Sequence, residues 1–264
     1  MISNQKNFLV ASRLVIGLLA TVVVSISHAA GSYAFVYAPG ISGGTDTVAL
    51  EFESLLDGRG YATDLISMAD AGSTDFSNYT KILIGDNTGY LSWGGTAAAA
   101  TKINSYSKPI IGIGEGGYAF FGLSGSNLGY PKGWHGPEDT WVVTNPSHQV
   151  FNLPNDIALG VGDTVKVLTS PSNEVGIYAP SFPSGFNGLG RESVSTNHYG
   201  LALQDDKNFL WGFSAAPTQF TAVGKDLFIN VVAYPVPEPE TYAMMLAGLG
   251  LMGFVIRRRG DKQA

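Results

Sequence analysis

Lys108-Pro109-Ile110-Ile111-Gly112-Ile113-Gly114-Glu115-Gly116-Gly117-Tyr118-Ala119-Phe120 is the stretch on which the fold of this chain turns. Pro109 to Ile113 is a short apolar run rich in β-branched residues, the composition of a buried strand. It passes at once into closely spaced glycines at 112, 114, 116 and 117 and then into Tyr118-Ala119-Phe120, the start of a helix. A strand, a tight glycine turn and a helix form the shape of a nucleophile elbow, which holds one side chain up at the end of a strand. Here the tip residue is Gly114, which has no side chain to hold.

Outward from the elbow the pattern alternates. Ser32 to Tyr37 reads as a buried strand, Pro39 to Gly44 as a glycine-rich turn, and Thr45 to Gly58 as a helix. Thr45 or Asp46 is placed to cap that helix, Val48, Phe52, Leu55 and Leu56 make its apolar stripe, and Gly58 sits where a helix stops. Ala62 to Ser67 and Lys81 to Gly85 are further strands and Thr96 to Tyr106 a further helix. Strands alternating with helices imply a sheet covered on both faces. The expectation is a three-layer, flavodoxin-like α/β sandwich with a mostly parallel sheet. Residues 130–215, richer in Pro, Gly and Asn, read as loops and short strands (Thr164 to Leu168, Val175 to Tyr178, Tyr199 to Leu203, Phe209 to Phe213) that extend the sheet with antiparallel strands. Thr218 to Val232 closes the domain as an amphipathic helix.

In open parallel sheets ligands bind beyond the carboxyl ends of the strands. That directs attention to the loops Pro39 to Thr45, Asp86 to Gly95 and Gly114 to Gly117, and makes Asp86, Tyr90, Trp93, Gly114, Glu115 and Trp134 candidate pocket residues. The aromatics Tyr90, Trp93, Tyr130, Trp134 and Trp141 either line a glycan or small-ligand pocket or cover the core under long loops. Glu115 is either a base or ligand at the elbow or a carboxylate stabilised by the helix N-terminus. His135, among Pro137, Glu138 and Asp139, either faces the elbow as an imidazole or bonds locally in its loop. Together Glu115 and His135 define an alternative reading, an exported hydrolase. His28 leaves with the signal peptide, His148 follows a turn signal and caps the next segment, and His198 falls on a strand edge; no spacing among them makes a zinc signature. The loop Gly40 to Thr45 lacks the full dinucleotide fingerprint, and no cofactor is expected.

The elbow resembles that of the class I glutamine amidotransferase-like superfamily, Gly-x-Cys-x-Gly at the end of a strand. Asn145-Pro146-Ser147-His148-Gln149-Val150-Phe151 is similar to a motif of related domains, and a Trp-Gly-Phe strand precedes the last helix; the resemblance spans residues 32–233. Placing Gly112 and Gly116 on the elbow glycines puts Gly114 where the family has cysteine. The resemblance therefore implies the fold without the nucleophile, and with it a noncatalytic domain.

The ends carry an address. Lys6 and Arg13, the apolar stretch Leu14 to Ile26 and Ser27-His28-Ala29 compose a signal peptide over residues 1–30, with a cut after Ala29. Its apolar stretch of about 13 residues is short of the roughly 20 that a span needs. Near the other end stand Val236-Pro237-Glu238-Pro239-Glu240, then Thr241 to Ile256 without a charge, then Arg257-Arg258-Arg259. The prolines keep the motif out of a helix, and residues 241–256, about 24 Å as a helix, form a short transmembrane segment that the three arginines stop on the cytoplasmic side. This order of motif, apolar helix and basic stop, over residues 234–260, resembles the PEP-CTERM sorting signal of Gram-negative bacteria that make exopolysaccharide. The resemblance implies recognition and cleavage at Pro237, Glu238 and Pro239 by exosortase, a membrane protease. The expected partners are thus that protease, signal peptidase and the secretion machinery, the membrane and exopolysaccharide. The expected route is export, a precursor held in the cytoplasmic membrane, then the cell surface or exterior.

With 45% hydrophobic and 14% charged residues the chain can bury a sizeable core between its ends as one domain, 31–233. Residues 31–235 hold nine Lys and Arg against eighteen Asp and Glu, a net charge of −9, which excludes nucleic acid as an expected partner. The absence of cysteine removes disulfides, thiolate chemistry and Cys-based metal sites.

Overall fold

Every residue of β1 (Tyr33–Tyr37) is buried, the mark of a strand covered on both faces. It is followed by α1 (Thr47–Asp57), whose first turn is capped by Asp46, the carboxylate accepting the amides of Val48 and Ala49. Then come β2 (Thr63–Ser67), the single turn α2 (Met68–Ala71), β3 (Lys81–Ile84), α3 (Ala98–Ser105), β4 (Ile110–Ile113) and α4 (Gly114–Leu123). A strand-rich half continues the chain with β5 (Gly133–Glu138), β6 (Thr140–Val143), β7 (Thr164–Lys166), β8 (Ser172–Tyr178), β9 (Phe186–Arg191), β10 (His198–Gln204) and β11 (Asn208–Trp211), before α5 (Ala222–Ala233). The structure, a computed structural model, describes residues 32–39, 46–89, 98–129, 133–160 and 162–235. The signal peptide, the sorting motif and the expected transmembrane segment lie outside those residues. Among the described residues no helix is long and apolar enough to cross a membrane.

The strands form one sheet in the order β2-β1-β3-β4-β11-β10-β9-β6-β7, with β8 paired to β10 and β5 to β8. Pairing is parallel from β2 through β11 and antiparallel beyond. The sheet is therefore mixed, which corrects the expectation of a mostly parallel one. The reason lies in the connections: a parallel pair needs a crossover of a dozen or more residues, whereas β10 turns into β11 through Asp205 and Asp206, both in the left-handed region at φ 55° and 49°.

Alternation along β1 divides the interior into two cores. Tyr33, Phe35 and Tyr37 face one core with residues of α1 and α5, and Ala34 and Val36 face the other with residues of α3 and α4. In the first, Phe52 stacks on Phe35 with centroids 5.2 Å apart and meets Phe228 at 5.2 Å, and Phe228 meets Trp211 at 5.1 Å. Thr221 caps α5 by accepting the amide of Gly224, so this helix starts later than the apolar pattern suggests, after a short 3₁₀ turn at Pro217–Gln219. Trp141, considered above as a loop aromatic, is fully buried in β6, stacked on Phe213 at 4.5 Å and 18°. Its presence in the core corrects any reading of that residue as part of an open pocket.

Trp141 also introduces the polar part of this core. Its Nε1 donates to Oε1 of Glu174 at 2.5 Å, over Gly200, where a Cβ would collide with both groups. Glu174 and Glu192 are fully buried, and Glu192 Oε2 lies 3.2 Å from His198 Nδ1. Glu174 Oε2 and Glu192 Oε1 find no hydrogen-bond partner among the described residues. Burial, aided by the Glu192 and Glu138 carboxylates, pushes Glu174 up to about 8; burial and Glu138 push Glu192 up to about 7. An acid whose folded pKa is raised stabilises the fold fully below its unfolded value, and that contribution is lost as pH rises through the folded value. In urea unfolding of residues 31–235, Glu174→Gln should therefore gain stability relative to the parent as pH rises from 5 to 8, because the amide cannot ionise. A difference that stays constant over that range would show that Glu174 does not take up a proton on folding.

Candidate functional site

The carboxyl ends of β1, β3 and β4 meet at Ala38, Asp86 and Gly114. Asn87 ties the first two together: its side chain donates to the Ala38 carbonyl at 2.9 Å and accepts the Ala38 amide at 3.1 Å. Gly114 opens α4 at φ +50°, the left-handed backbone that a strand needs to turn directly into a helix. Gly112 and Gly117 then pack backbone to backbone, with no room for a Cβ on either. This is the elbow expected from the sequence, with strand, left-handed tip and helix in that order.

What fills the tip comes from β3 and β11. Oδ1 of the half-buried Asp86 accepts the Glu115 amide at 2.8 Å and the Ser214 hydroxyl at 2.6 Å. A Cβ built on Gly114 would run into both Asp86 Oδ1 and Ser214 Oγ, so a carboxylate and a hydroxyl occupy the space where an elbow side chain would begin. Burial raises the pKa of Asp86; the Ser214 and Glu115 hydrogen bonds oppose that, and the nearby Glu115 and Asp46 carboxylates reinforce it. The Glu115 amide belongs to the first turn of α4, which has no intrahelical acceptor for it. Asp86 supplies one, and a carboxylate at a helix N-terminus also answers the helix dipole.

Of the sequence candidates, Asp86, Gly114 and Glu115 come together here, with the Glu115 side chain exposed. Tyr90 and Trp93 lie outside the described residues. Trp134 and His135 are described by backbone alone, on β5 opposite Gly176 and Val175. Gly133 at the start of β5 abuts the Tyr118 ring of α4, so this strand passes the helix whose first turn holds Glu115. His148 caps the 3₁₀ turn Gln149–Phe151 by accepting the Val150 amide at 3.3 Å, and His198 begins β10 beside Glu192. Among the described residues no group of three or more His, Asp or Glu side chains is arranged to hold a metal ion. Sequence reasoning missed Ser214. Its signal was the Gly212-Phe213-Ser214 sequence directly after a strand that pairs with β4, which brings residue 214 beside the elbow.

Comparison with solved structures finds a likeness of fold. A candidate GMP synthase component from Thermoplasma acidophilum is 14% identical, with 77% of this chain and 94% of that one covered, at a TM-score of 0.51. The domain has a glutamine amidotransferase-like fold. A glutamine amidotransferase from Methylobacillus flagellatus (13% identity, 79% and 96% covered, TM-score 0.43) and the glutaminase domain of Trypanosoma brucei CTPS with bound acivicin (12%, 79% and 96%, 0.44) are further similar structures. Residues 235–259 match the PEP-CTERM protein-sorting motif, which implies an exported protein processed at the membrane by exosortase. Comparison with the curated proteins returns no match.

Adding a side chain at the tip of this elbow sets it against Asp86. Gly114→Cys should cost about 1–3 kcal/mol of unfolding free energy through overpacking. Asp86→Ala, by stranding the Glu115 amide and Ser214, should cost a similar amount. The double variant should lose clearly less than the two single losses together, since removing the carboxylate clears the space for the thiol. Strict additivity in urea melts would mean that Asp86 does not occupy that space.

Proposed function

We propose that this chain is an exported, exosortase-sorted protein of the cell surface or extracellular matrix, whose amidotransferase-like domain binds a ligand or matrix component and performs no acyl transfer. The observation that carries the reading is the filled elbow. A nucleophile elbow works by presenting a side chain to a carbonyl and by offering the next backbone amide to the developing oxyanion. Here the tip has no side chain, its space holds the Asp86 carboxylate, and the next amide, that of Glu115, is already bonded to Asp86. A negative oxygen at the place where an oxyanion would form opposes that charge.

In this reading signal peptidase cuts after Ala29 during export. Residues 241–256 then hold the precursor in the cytoplasmic membrane, with Arg257, Arg258 and Arg259 inside, and Pro237, Glu238 and Pro239 face exosortase on the other side. Dragging three arginines through a bilayer would cost several kcal/mol each on the order of insertion scales, which fixes the orientation. The host is a Gram-negative exopolysaccharide producer, and the sequence sets Tyr90 and Trp93 in the loop after β3, with Trp134 a further candidate, aromatic residues of the kind that suit a sugar face.

The test is expression of the full chain in a host that has the sorting system. Mass spectrometry of the mature protein should find an N-terminus at Ala30 and a C-terminus near Pro237 to Pro239, and Glu238→Ala should accumulate precursor. An intact end at Ala264 would leave an ordinary membrane anchor. The same purified protein should release no ammonia from glutamine and hydrolyse no ester, amide or glycoside above buffer. Turnover abolished by both Glu115→Gln and His135→Ala would replace this reading with the hydrolase that uses those two residues.

A further inference from the structure

Residues 212–214, which bring Ser214 to the elbow, are themselves held by β8. The Val175 amide donates to the Gly212 carbonyl at 2.9 Å, the Ser214 amide to the Asn173 carbonyl at 2.8 Å, and the Ser172 hydroxyl to the Ser214 carbonyl at 2.7 Å. Glu174, between those residues of β8, pairs with Phe213 in an antiparallel bridge. Trp141 joins the same two segments again, donating to Glu174 and stacking on Phe213. This short clip of β8 fixes Ser214, and Ser214 in turn bonds the Asp86 oxygen that accepts the Glu115 amide.

An acid shut away from water sits in the middle of the clip. Glu174 is fully buried, and its Oε2 finds no hydrogen-bond partner among the described residues. The charges that act on it are of its own sign, Glu192 at the end of β9 and Glu138 on β5. Of the other ionisable groups around it, His198 of β10 lies against Glu192 at 3.2 Å, Arg191 of β9 gives its guanidinium to the carbonyls of Glu192 and Ser195, and Asp139 pairs with Lys166 of β7 at 3.1 Å. We propose that Glu174 is a pH-sensitive latch on the elbow: its ionisation frees residues 212–214 from β8, Ser214 lets go of Asp86, and the Glu115 amide becomes available to water or a ligand. The latch rests on the closed elbow of the proposed function. A buried carboxylate with no cation beside it is far costlier than a hydrated one, so ionisation favours whichever state hydrates it. Detaching this part of β8 does so. In the closed form burial, aided by Glu192 and Glu138, holds the proton up to about 8, whereas a hydrated Glu174 releases it near its ordinary 4.5. Between those values opening becomes about tenfold easier with each pH unit, and above them it levels off.

Hydrogen exchange in the full-length chain, held in detergent micelles, reads the latch at the Glu115 and Ser214 amides. Between pH 5 and 8 their protection, corrected for the intrinsic exchange rate, should fall at least tenfold further in the parent than in Glu174→Gln, whose amide cannot ionise. Asp86 and Glu192 titrate in both proteins, so the difference belongs to Glu174. Ser172→Ala removes one bond of the clip and no charge, and should lower Glu115 protection severalfold at pH 5. The Ile82 amide of β3, bonded to the Pro109 carbonyl, marks opening of the whole sheet and should stay protected while the other two exchange. The same fall in Glu174→Gln as in the parent, no effect of Ser172→Ala, or loss of protection at Glu115 only together with Ile82 would each overturn the latch while leaving the closed elbow standing. A Glu115 amide unprotected in the parent at pH 5 would overturn both.

Discussion

The elbow end of this domain depends on the Asp86 carboxylate, wedged between the hydroxyl of Ser214 and the amide of Glu115. One oxygen atom joins three elements there: the end of β3, the residues after β11 and the first turn of α4. It satisfies a helix amide that has no acceptor in its own helix, and it fills the volume that a tip side chain would use. The exchange is chemically coherent. Where glycine replaces a side chain at the tip, the turn would leave a polar gap beneath exposed amides, and the carboxylate closes it with two hydrogen bonds. Stability at the elbow is gained from the same hydrogen bonds that engage the Glu115 amide and fill the tip.

The parallel half was legible because its signals are local. Short β-branched runs, a capping Asp46 and glycines at the strand-to-helix junction each act within a few residues, and β1, β3, β4, α1 and the elbow follow from them. The filling of the elbow was not legible, because Asp86 and Ser214 are 128 residues apart and meet only through the pairing of β11 with β4. Asp86 stands out in the sequence as the first residue of a loop after a strand, but its role follows only from that long-range contact.

The antiparallel half was harder for a different reason. Glu174 sits in Ser172-Asn173-Glu174-Val175-Gly176-Ile177-Tyr178, where alternation assigns a charged residue to solvent. Instead β5 covers β8, Trp141 reaches Glu174 across the glycine at 200, and the acid is buried. Trp141 reads as a loop aromatic for the same reason: the groups around it come from distant stretches of chain, β8, β10 and β11 among them. The sorting motif near the end of the chain, by contrast, is legible from sequence without any fold, and residues 235–259 match the PEP-CTERM protein-sorting motif.

These parts make one account: an amidotransferase-like frame whose elbow is closed from within, in a chain that carries a PEP-CTERM sorting motif. Native-state hydrogen exchange at the Glu115 amide tests its central claim most directly. The Glu115 amide has no acceptor in its own helix and donates to Asp86, so its protection should be on the order of 100-fold or more in the parent and fall clearly in Asp86→Ala. A Glu115 amide that exchanges freely in the parent would contradict the account, leaving the elbow open and its oxyanion donor available for chemistry.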